Sequence, residues 1–511
     1  YQKTLTWSLA HPRIIFSVFL LNILLSGLLF SFIPKGFVPG EDVGQLIALT
    51  EADANVSFAA MVARQQQAAA IIENNPDVAG VISSVGAGGA SSTLNMGRLF
   101  IRLKPRKERD HSAEEIIQNL RSPLARIPGL SVYLQNVNTI PVGGKLSKST
   151  YQFSLQDNNL EELQLWTARF QQALAKLPQL QEVTSDLQNR ALQLELKLDR
   201  EKAGSYGIKV ENLQNTLGYA YGAQQISTIY TPIDDYPVIL EVAPEFQKSP
   251  ESLNQLYLTG SQGQQVPLSS LVQIKYGQQP LAINHLMQFP SATISFNLKP
   301  GVSLSKAIQL IEATREKLQP PLTLTTAFQG SAKAFQDSLK SMGLLLLLAV
   351  LVIYIILGIL YESFWHPLTI LSGLPAATVG ALFALWICRA ELDLYSFIGI
   401  LMLIGIVKKN AIMMIDFAVS AQREQQLPPA QAIYQACLIR FRPIMMTTTA
   451  AILGALPIAL ALGSGAETRR PLGIAVVGGL LLSQFLTLYL TPIIYLYLEK
   501  IQLRLKRKKM I

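Results

Sequence analysis

Apolar residues gather into six long runs, at about 14–33, 342–360, 367–388, 394–418, 444–463 and 473–498. Each approaches the ~20 residues that cross the hydrocarbon of a bilayer. Between the first two lies a stretch of roughly 300 residues in which the pattern is that of a soluble protein. Its short alternating segments predict strands at 44–51, 78–84, 98–104 and 130–136, and its helical spacing of apolar positions predicts helices at 57–74 and 112–126. That order is βαββαβ, a ferredoxin-like unit. A second copy begins with a strand at 150–156, a helix at 160–176 and a strand at 181–186. It resumes with a strand at 291–298, a helix at 303–317 and a strand at 321–328. Residues 190–280 interrupt it with strands of their own (ALQLELKLD, YPVILEVA, QQVPLSSLVQI) and a helix near 210–221, and so read as an inserted subdomain. The expected fold class is an α-helical membrane protein of six transmembrane helices carrying a large α+β portion outside the bilayer.

Composition agrees with a mixed chain. Of 511 residues, 50% are hydrophobic and 15% charged, and the mean hydropathy is +0.29. The first apolar run is followed by PKGFVPGED rather than a small-residue cleavage site, so a retained helix is expected instead of a signal peptide. Six spans leave both ends on one side. Lys500, Arg504, Lys506, Arg507, Lys508 and Lys509 in the tail, with Arg423, Arg440 and Arg442 in the 420–443 loop, mark that side as cytoplasmic. Arg389, Arg469 and Arg470 fall on the other side and run against the trend. The large insertion is then outside the cytoplasm, which in a bacterium with two membranes means the periplasm. The net charge of +9 owes much to the tail, which suits lipid headgroups better than nucleic acid. Cys388 falls near the outer end of one helix and Cys437 in a cytoplasmic segment, so they cannot pair within the chain. Histidines 11, 111, 285 and 366 form no metal or triad spacing, no phosphate-binding loop is present, and no enzyme chemistry is expected. His366 opens a membrane helix and reads as a cytoplasmic surface residue.

The chemistry that stands out lies inside a span. Lys408 and Lys409 sit in the middle of LYSFIGILMLIGIVKKNAIMMIDFAV, and no run holds a carboxylate at comparable depth. One central lysine costs roughly 2.5–3.5 kcal/mol, so such a cation has a partner anion or a function. Asp416 shares a helix face with Lys409 but lies ~10 Å along the axis, which leaves the anion to come from outside this chain. In the next span, LIRFRPIMMTTTAAILG, Arg440 and Thr447 are seven apart and share a face if the helix starts by Arg440, with Pro443 at or near its start. Thr447, Thr448 and Thr449 serve either this face or their own backbone carbonyls. A lysine beside carboxylates in a dry interior is a proton-sensitive switch, because protonating the acids removes its partner and lets its helix move. Residues 85–97, VGAGGASSTLNMG, are small enough to line a cleft or to be a long hairpin loop.

At these residues the chain resembles a known family. PKGFVPGEDVG, LGILYESFWHPLTIL, GIVKKNAIMMIDFA, QACLIRFRPIMMTTTAAILGALP and RRPLGIAVVGG are similar to the C-terminal half of proton-driven resistance-nodulation-division (RND) permeases of the hydrophobe/amphiphile efflux type. AELDL, INHLMQFP and QISTIY (225–230) resemble the MdtB/MdtC branch, and the likeness covers essentially the whole chain. It implies a trimeric inner-membrane pump that uses the proton-motive force and no cofactor. A periplasmic adaptor protein and an outer-membrane channel are its partners, and small amphiphilic drugs or bile-salt-like molecules its substrates. It also implies an N-terminal segment with the first span at 1–33, porter subdomains at 34–140 and at 141–189 with 285–335, and a docking subdomain at 190–284. Five further helices at 336–498 and a basic tail at 499–511 follow. In the family a lysine of the tenth helix faces two aspartates of the fourth, assisted by an arginine and a threonine of the eleventh. Matching residue by residue, the resemblance assigns Lys409, Arg440 and Thr447 to the relay, with Lys408 and Asn410 as neighbours. The fourth helix is absent, so the missing N-terminal half is itself an expected partner. The 85–97 loop resembles the family's switch loop without its phenylalanine, and Phe100 matches a pocket aromatic. Phe100, Gly86, Gly88, Gly89, Asn95 and Met96 are therefore the candidate substrate contacts.

Three other readings fit parts of the pattern. A protein-translocation factor of the SecD/SecF class shares the topology but not the motifs at 358–371 and 405–418. A non-transporting subunit assembling with paralogous permeases has the same sequence signature. Metal export would use methionine, yet Met96 stands alone in the loop and Met413, Met414, Met445 and Met446 read as helix packing.

Overall fold

The computed structural model describes residues 1–38, 40–86, 93–137, 142–145, 147–189, 191–463 and 465–509, with side chains up to 502. They divide into two compact units, residues 1–187 with 282–511, and residues 188–281.

The first unit opens with α1 (Gln2–Ala10) and the apolar α2 (Pro12–Phe32), whose proline occupies the first turn, where no backbone donor is needed. A four-stranded antiparallel sheet follows, built from β1 (Gln45–Ala52), α3 (Phe58–Glu73), β2 (Val78–Val85), β3 (Met96–Leu103), α4 (Ala113–Leu124) and β4 (Leu130–Asn136). Its strand order is β2-β3-β1-β4. Alternation along β3 sends Gly97, Leu99, Ile101 and Leu103 into the core and Arg98, Phe100 and Arg102 to the opposite face. Met61 and Ile72 of α3 and Ile116 and Leu120 of α4 close the core side. HSAEE becomes a capping box: Glu115 N–H donates to Ser112 Oγ at 3.3 Å, and Ser112 N–H to Glu115 Oε2 at 2.7 Å. Such a cap contributes ~1 kcal/mol to the helix start.

The second sheet has β5 (Tyr151–Gln156), α5 (Leu160–Ala175) and β6 (Leu180–Ser185) before residues 188–281, and its remaining strands and a helix after them. Residues 188–281 carry β7 (Ala191–Leu198), α6 (Arg200–Ser205), α7 (Val210–Tyr221), β8 (Gln224–Tyr230), β9 (Asp235–Leu240), β10 (Tyr257–Thr259), β11 (Gln265–Pro267) and β12 (Val272–Gln279). There β12 pairs with β7 over a core of Ala203, Ile208, Leu258 and Leu271, and β8 pairs with β9 in a ribbon that exposes Ile226, Ile229, Tyr230 and Tyr236. The chain then returns as β13 (His285–Leu286), β14 (Phe289–Leu298), α8 (Leu304–Leu318) and β15 (Thr325–Gln329). With β6 and β5 on β14 and β15 on β5, the second sheet repeats the strand plan of the first. Asp186, just past β6, pins the point of departure: its Oδ1 accepts Thr293 N–H at 2.7 Å and its Oδ2 accepts Asn284 Nδ2–H at 3.1 Å.

The remaining helices are α9 (Gly330–Tyr361), α10 (Trp365–Leu371), α11 (Leu374–Ile387), α12 (Leu394–Glu424), α13 (Pro429–Ala459) and α14 (Arg470–Lys509). Among the described residues six helical spans are long and apolar enough to cross a membrane, α10 and α11 forming one of them. The sequence reading is corrected at α13, which begins at Pro429 and holds Pro443 and Pro457 in its interior. Its first turns carry Gln431, Gln435 and Arg440, and hydropathy therefore undercounts them.

Small residues explain the packing around α14. A Cβ on Gly478 would strike Ala384 of α11 and lie 2.8 Å from the carbonyl of Gly380, and one on Gly473 would strike the backbone of Ala459 on α13. Lipid tails are as apolar as leucine, so helices in a bilayer associate through such close backbone approach. The glycines of RRPLGIAVVGG make α14 the common neighbour of α11, α12 and α13.

Candidate functional site

The lysine pair lies midway along α12, and the helix separates its two members. Lys409 is exposed, on the same face as the exposed Asp416, whereas Lys408 is 3% exposed. Successive residues on a helix turn by about 100°, enough to take Lys409 off the face that buries Lys408. Among the described residues neither lysine has an acid within 4 Å. The Lys408 ammonium has no hydrogen-bond partner among them either.

Asn410 ties three helices together. Its Nδ2 donates to Thr448 Oγ1 of α13 at 3.0 Å and to Gln484 Oε1 of α14 at 3.3 Å, and Gln484 Nε2 reaches Met445 Sδ at 3.0 Å. The adjacent Thr447 is exposed, donates to the carbonyl of Ile444 at 3.2 Å, and shares an outward aspect with Lys409. Arg440, half-buried, holds its guanidinium 5.6 Å from the ring of Phe417. The structure thus brings Asn410, Thr448 and Gln484 together and leaves Lys409 and Thr447 facing outward. Sequence reasoning missed Gln484, although an amide within LLLSQFLTLYLTP was the available signal. Below it on α14, Thr487, Thr491 and Tyr495 are buried. His366, read from sequence as a surface residue, is half-buried with its ring 6.0 Å from those of both Tyr361 and Tyr495.

The candidate substrate residues divide as well. Phe100 is 45% exposed on the outer face of the first sheet, paired across β1 with Ile47 and across β2 with the exposed Ile82. Met96, opposite Glu51 on β1, is half-buried. Asn95 is buried and donates to the carbonyl of Ala52 at 3.1 Å, which makes it a brace for the end of β1. Gly86, at φ 89°, closes β2 and donates its N–H to the carbonyl of Met96 at 3.0 Å. Gly88 and Gly89 lie outside the described residues.

Two ion pairs join the first sheet to the second. Lys148 bonds Glu51 of β1 at 2.6 Å and the carbonyl of Ser185 at 2.8 Å, and Arg121 of α4 bonds Glu182 of β6 at 3.0 Å. Among the described residues no group of three or more His, Cys, Asp or Glu side chains is placed to hold a metal ion.

The fold matches solved structures of a heavy metal efflux pump in two crystal forms. The TM-score is 0.87 in both, with 22% and 23% sequence identity over 98% of this chain. This chain spans about half their length, 51% and 52%. At that identity the likeness shows a common fold. The sequence itself matches the AcrB/AcrD/AcrF family over residues 1–499. From the six spans, the doubled sheet plan and that match, the chain belongs to the AcrB/AcrD/AcrF family of resistance-nodulation-division permeases.

Proposed function

We propose that the chain supplies one half of a proton-driven efflux permease, and that the acids of its proton relay stand on helices of a companion half, on the same or a separate polypeptide. The observation that carries this reading is Lys409, exposed in the middle of a membrane helix with no acid within 4 Å among the described residues. A bare ammonium at that depth is costly against lipid, so the face bearing Lys409 and Thr447 meets protein. Acids there bind Lys409 when ionised and release it when protonated, and α12 moves between the two states. Arg440 and Thr447 assist from α13.

The cargo on this reading is a small amphiphile. Phe100 of β3 and Ile82 of β2 offer an exposed apolar surface, and β3 also presents Arg98 and Arg102 on that face. The two ferredoxin-like sheets act as porter subdomains and residues 188–281 as the docking portion. The assembly is a trimer in the bacterial inner membrane, with a periplasmic adaptor and an outer-membrane channel as partners. Both ends of the chain are cytoplasmic, and the sheets are periplasmic.

The test is co-expression with a segment carrying the other six helices of a related permease, in a host without its own pumps. Resistance to amphiphilic drugs is expected from the pair and not from this chain alone. Lys409→Ala is expected to abolish it while membrane insertion stays intact. Resistance from this chain by itself, or unchanged efflux in the lysine variant, overturns the proposal.

A further inference from the structure

We propose that a cavity of about 980 Å³ at the foot of the first sheet binds the oxyanion headgroup of an amphiphile, a phosphate diester or a carboxylate. Residues 34–37 after α2 are tied to the start of α12 through Leu392 and Leu394, which sets the sheet directly on the helices. Glu41 then lies against Gly465, in the turn between α13 and α14, and this turn forms one wall. Residues 102–107 and Arg109 line another part of the cavity.

The charge along that segment is unbalanced. Arg109 and Asp42 satisfy each other through a two-pronged contact, 2.8 and 3.2 Å, and both are largely buried. Asp42 also accepts Ala113 N–H at 2.9 Å at the start of α4. Arg106 donates to the carbonyl of Arg109 at 2.9 Å, so the segment is anchored at its base. Besides that pair the charged lining groups are Arg102, Lys104, Arg106 and Lys107 with Glu41 and Glu467, Glu108 of the same segment lying outside the lining, and none of the four cations has an acid within 4 Å among the described residues. Cations beside the non-cytoplasmic ends of membrane helices also oppose the usual charge bias, and a bound anion supplies what the protein lacks. Forked guanidinium and ammonium donors suit phosphate and carboxylate oxygens. Val43, Ala79, Leu103 and Pro105 offer apolar contact to the attached chain or ring system. The fixed base of the segment spares the ligand the cost of ordering it. The inference rests on the six spans crossing a bilayer and is independent of the proton relay.

The test uses the full 511-residue chain in an uncharged maltoside detergent, titrated calorimetrically with cholate, with a short-chain phosphatidylglycerol and with the matching phosphatidylcholine. Either or both anions are expected to bind, more weakly as salt rises, and the zwitterionic lipid is not. Binding of phosphatidylglycerol alone identifies a lipid site, and binding of cholate alone a site for soluble amphiphiles. Lys104→Gln combined with Lys107→Gln is expected to weaken binding about tenfold or more, while Lys275→Gln in the other unit leaves it unchanged. Should the double variant not fold, Lys107→Gln alone, at an exposed position, is expected to show a smaller loss in the same direction. No binding by either anion, unchanged affinity in the cavity variants, or equal binding of the phosphatidylcholine overturns the proposal. Since no transport is measured, failure here leaves the relay experiment untouched.

Discussion

At the scale of single residues, Lys408 and Lys409 show how far a sequence reaches and where it stops. That the pair was exceptional followed from its depth in an apolar run. Which lysine would be buried did not, because the answer depends on the helices that pack against α12. The same holds for Asn410, whose partners Thr448 and Gln484 arrive from two other helices. The two lysines are expected to respond oppositely to methionine, which keeps the length of the side chain and removes its charge. Lys408→Met deletes a buried ammonium without a partner among the described residues and is expected to stabilise the chain by on the order of 1–3 kcal/mol. It is read as a higher thermal unfolding midpoint in detergent. Lys409→Met, at an exposed position, should leave the midpoint in place. A fall in the midpoint of the Lys408 variant would show that its ammonium is held by groups outside this chain.

At the scale of elements, the strands with one buried face were legible. β3 and β4 lie within two residues of the predicted positions because alternation reports burial directly, and so does β14, which alternates apolar and small polar residues but is buried on both faces. β8 has no such signal, since nearly every residue in it is exposed, and the start of α13 was hidden by its polar first turns. α12 begins on a capping box in which Asp393 Oδ1 accepts Ser396 N–H at 2.7 Å. Burial pushes the Asp393 carboxyl up from 3.8 to about 6, more than the hydrogen bonds from Ser396 pull it down. Between these values the folded chain holds the proton more tightly than the unfolded one, so the contribution of Asp393 to stability declines as pH rises through that window. Asparagine keeps the capping oxygen and never ionises. Asp393→Asn is therefore expected to raise the unfolding midpoint at about pH 8 and to lose that advantage below about pH 4. An equal gain at both pH values would assign the effect to something other than titration.

At the scale of the whole molecule, the interruption of the second sheet could be read from sequence because a strand-helix-strand series stopped and later resumed. What could not be read was how close the two ends of the excursion lie. Leu281 N–H donates to the carbonyl of Gln188 at 2.7 Å, and β6 and β14, on either side, are neighbours in one sheet. Removing residues 189–280 and joining the ends by a short Asn-Gly turn is expected to leave the membrane helices and both sheets folded. Circular dichroism and a melting midpoint within a few degrees of the parent would show it. Aggregation on expression would mean that the smaller unit is needed for the larger one to fold.

The triple tie at Asn410 has a mechanical consequence. Lys409 and Asn410 share a peptide bond, so a charge that draws the one toward an opposing surface must carry the other with it. The amide then strains against, or lets go of, Thr448 and Gln484, and α13 and α14 register the displacement at the same depth. A tug on a single ammonium thereby becomes a load borne by three helices, with the carboxamide as the fulcrum.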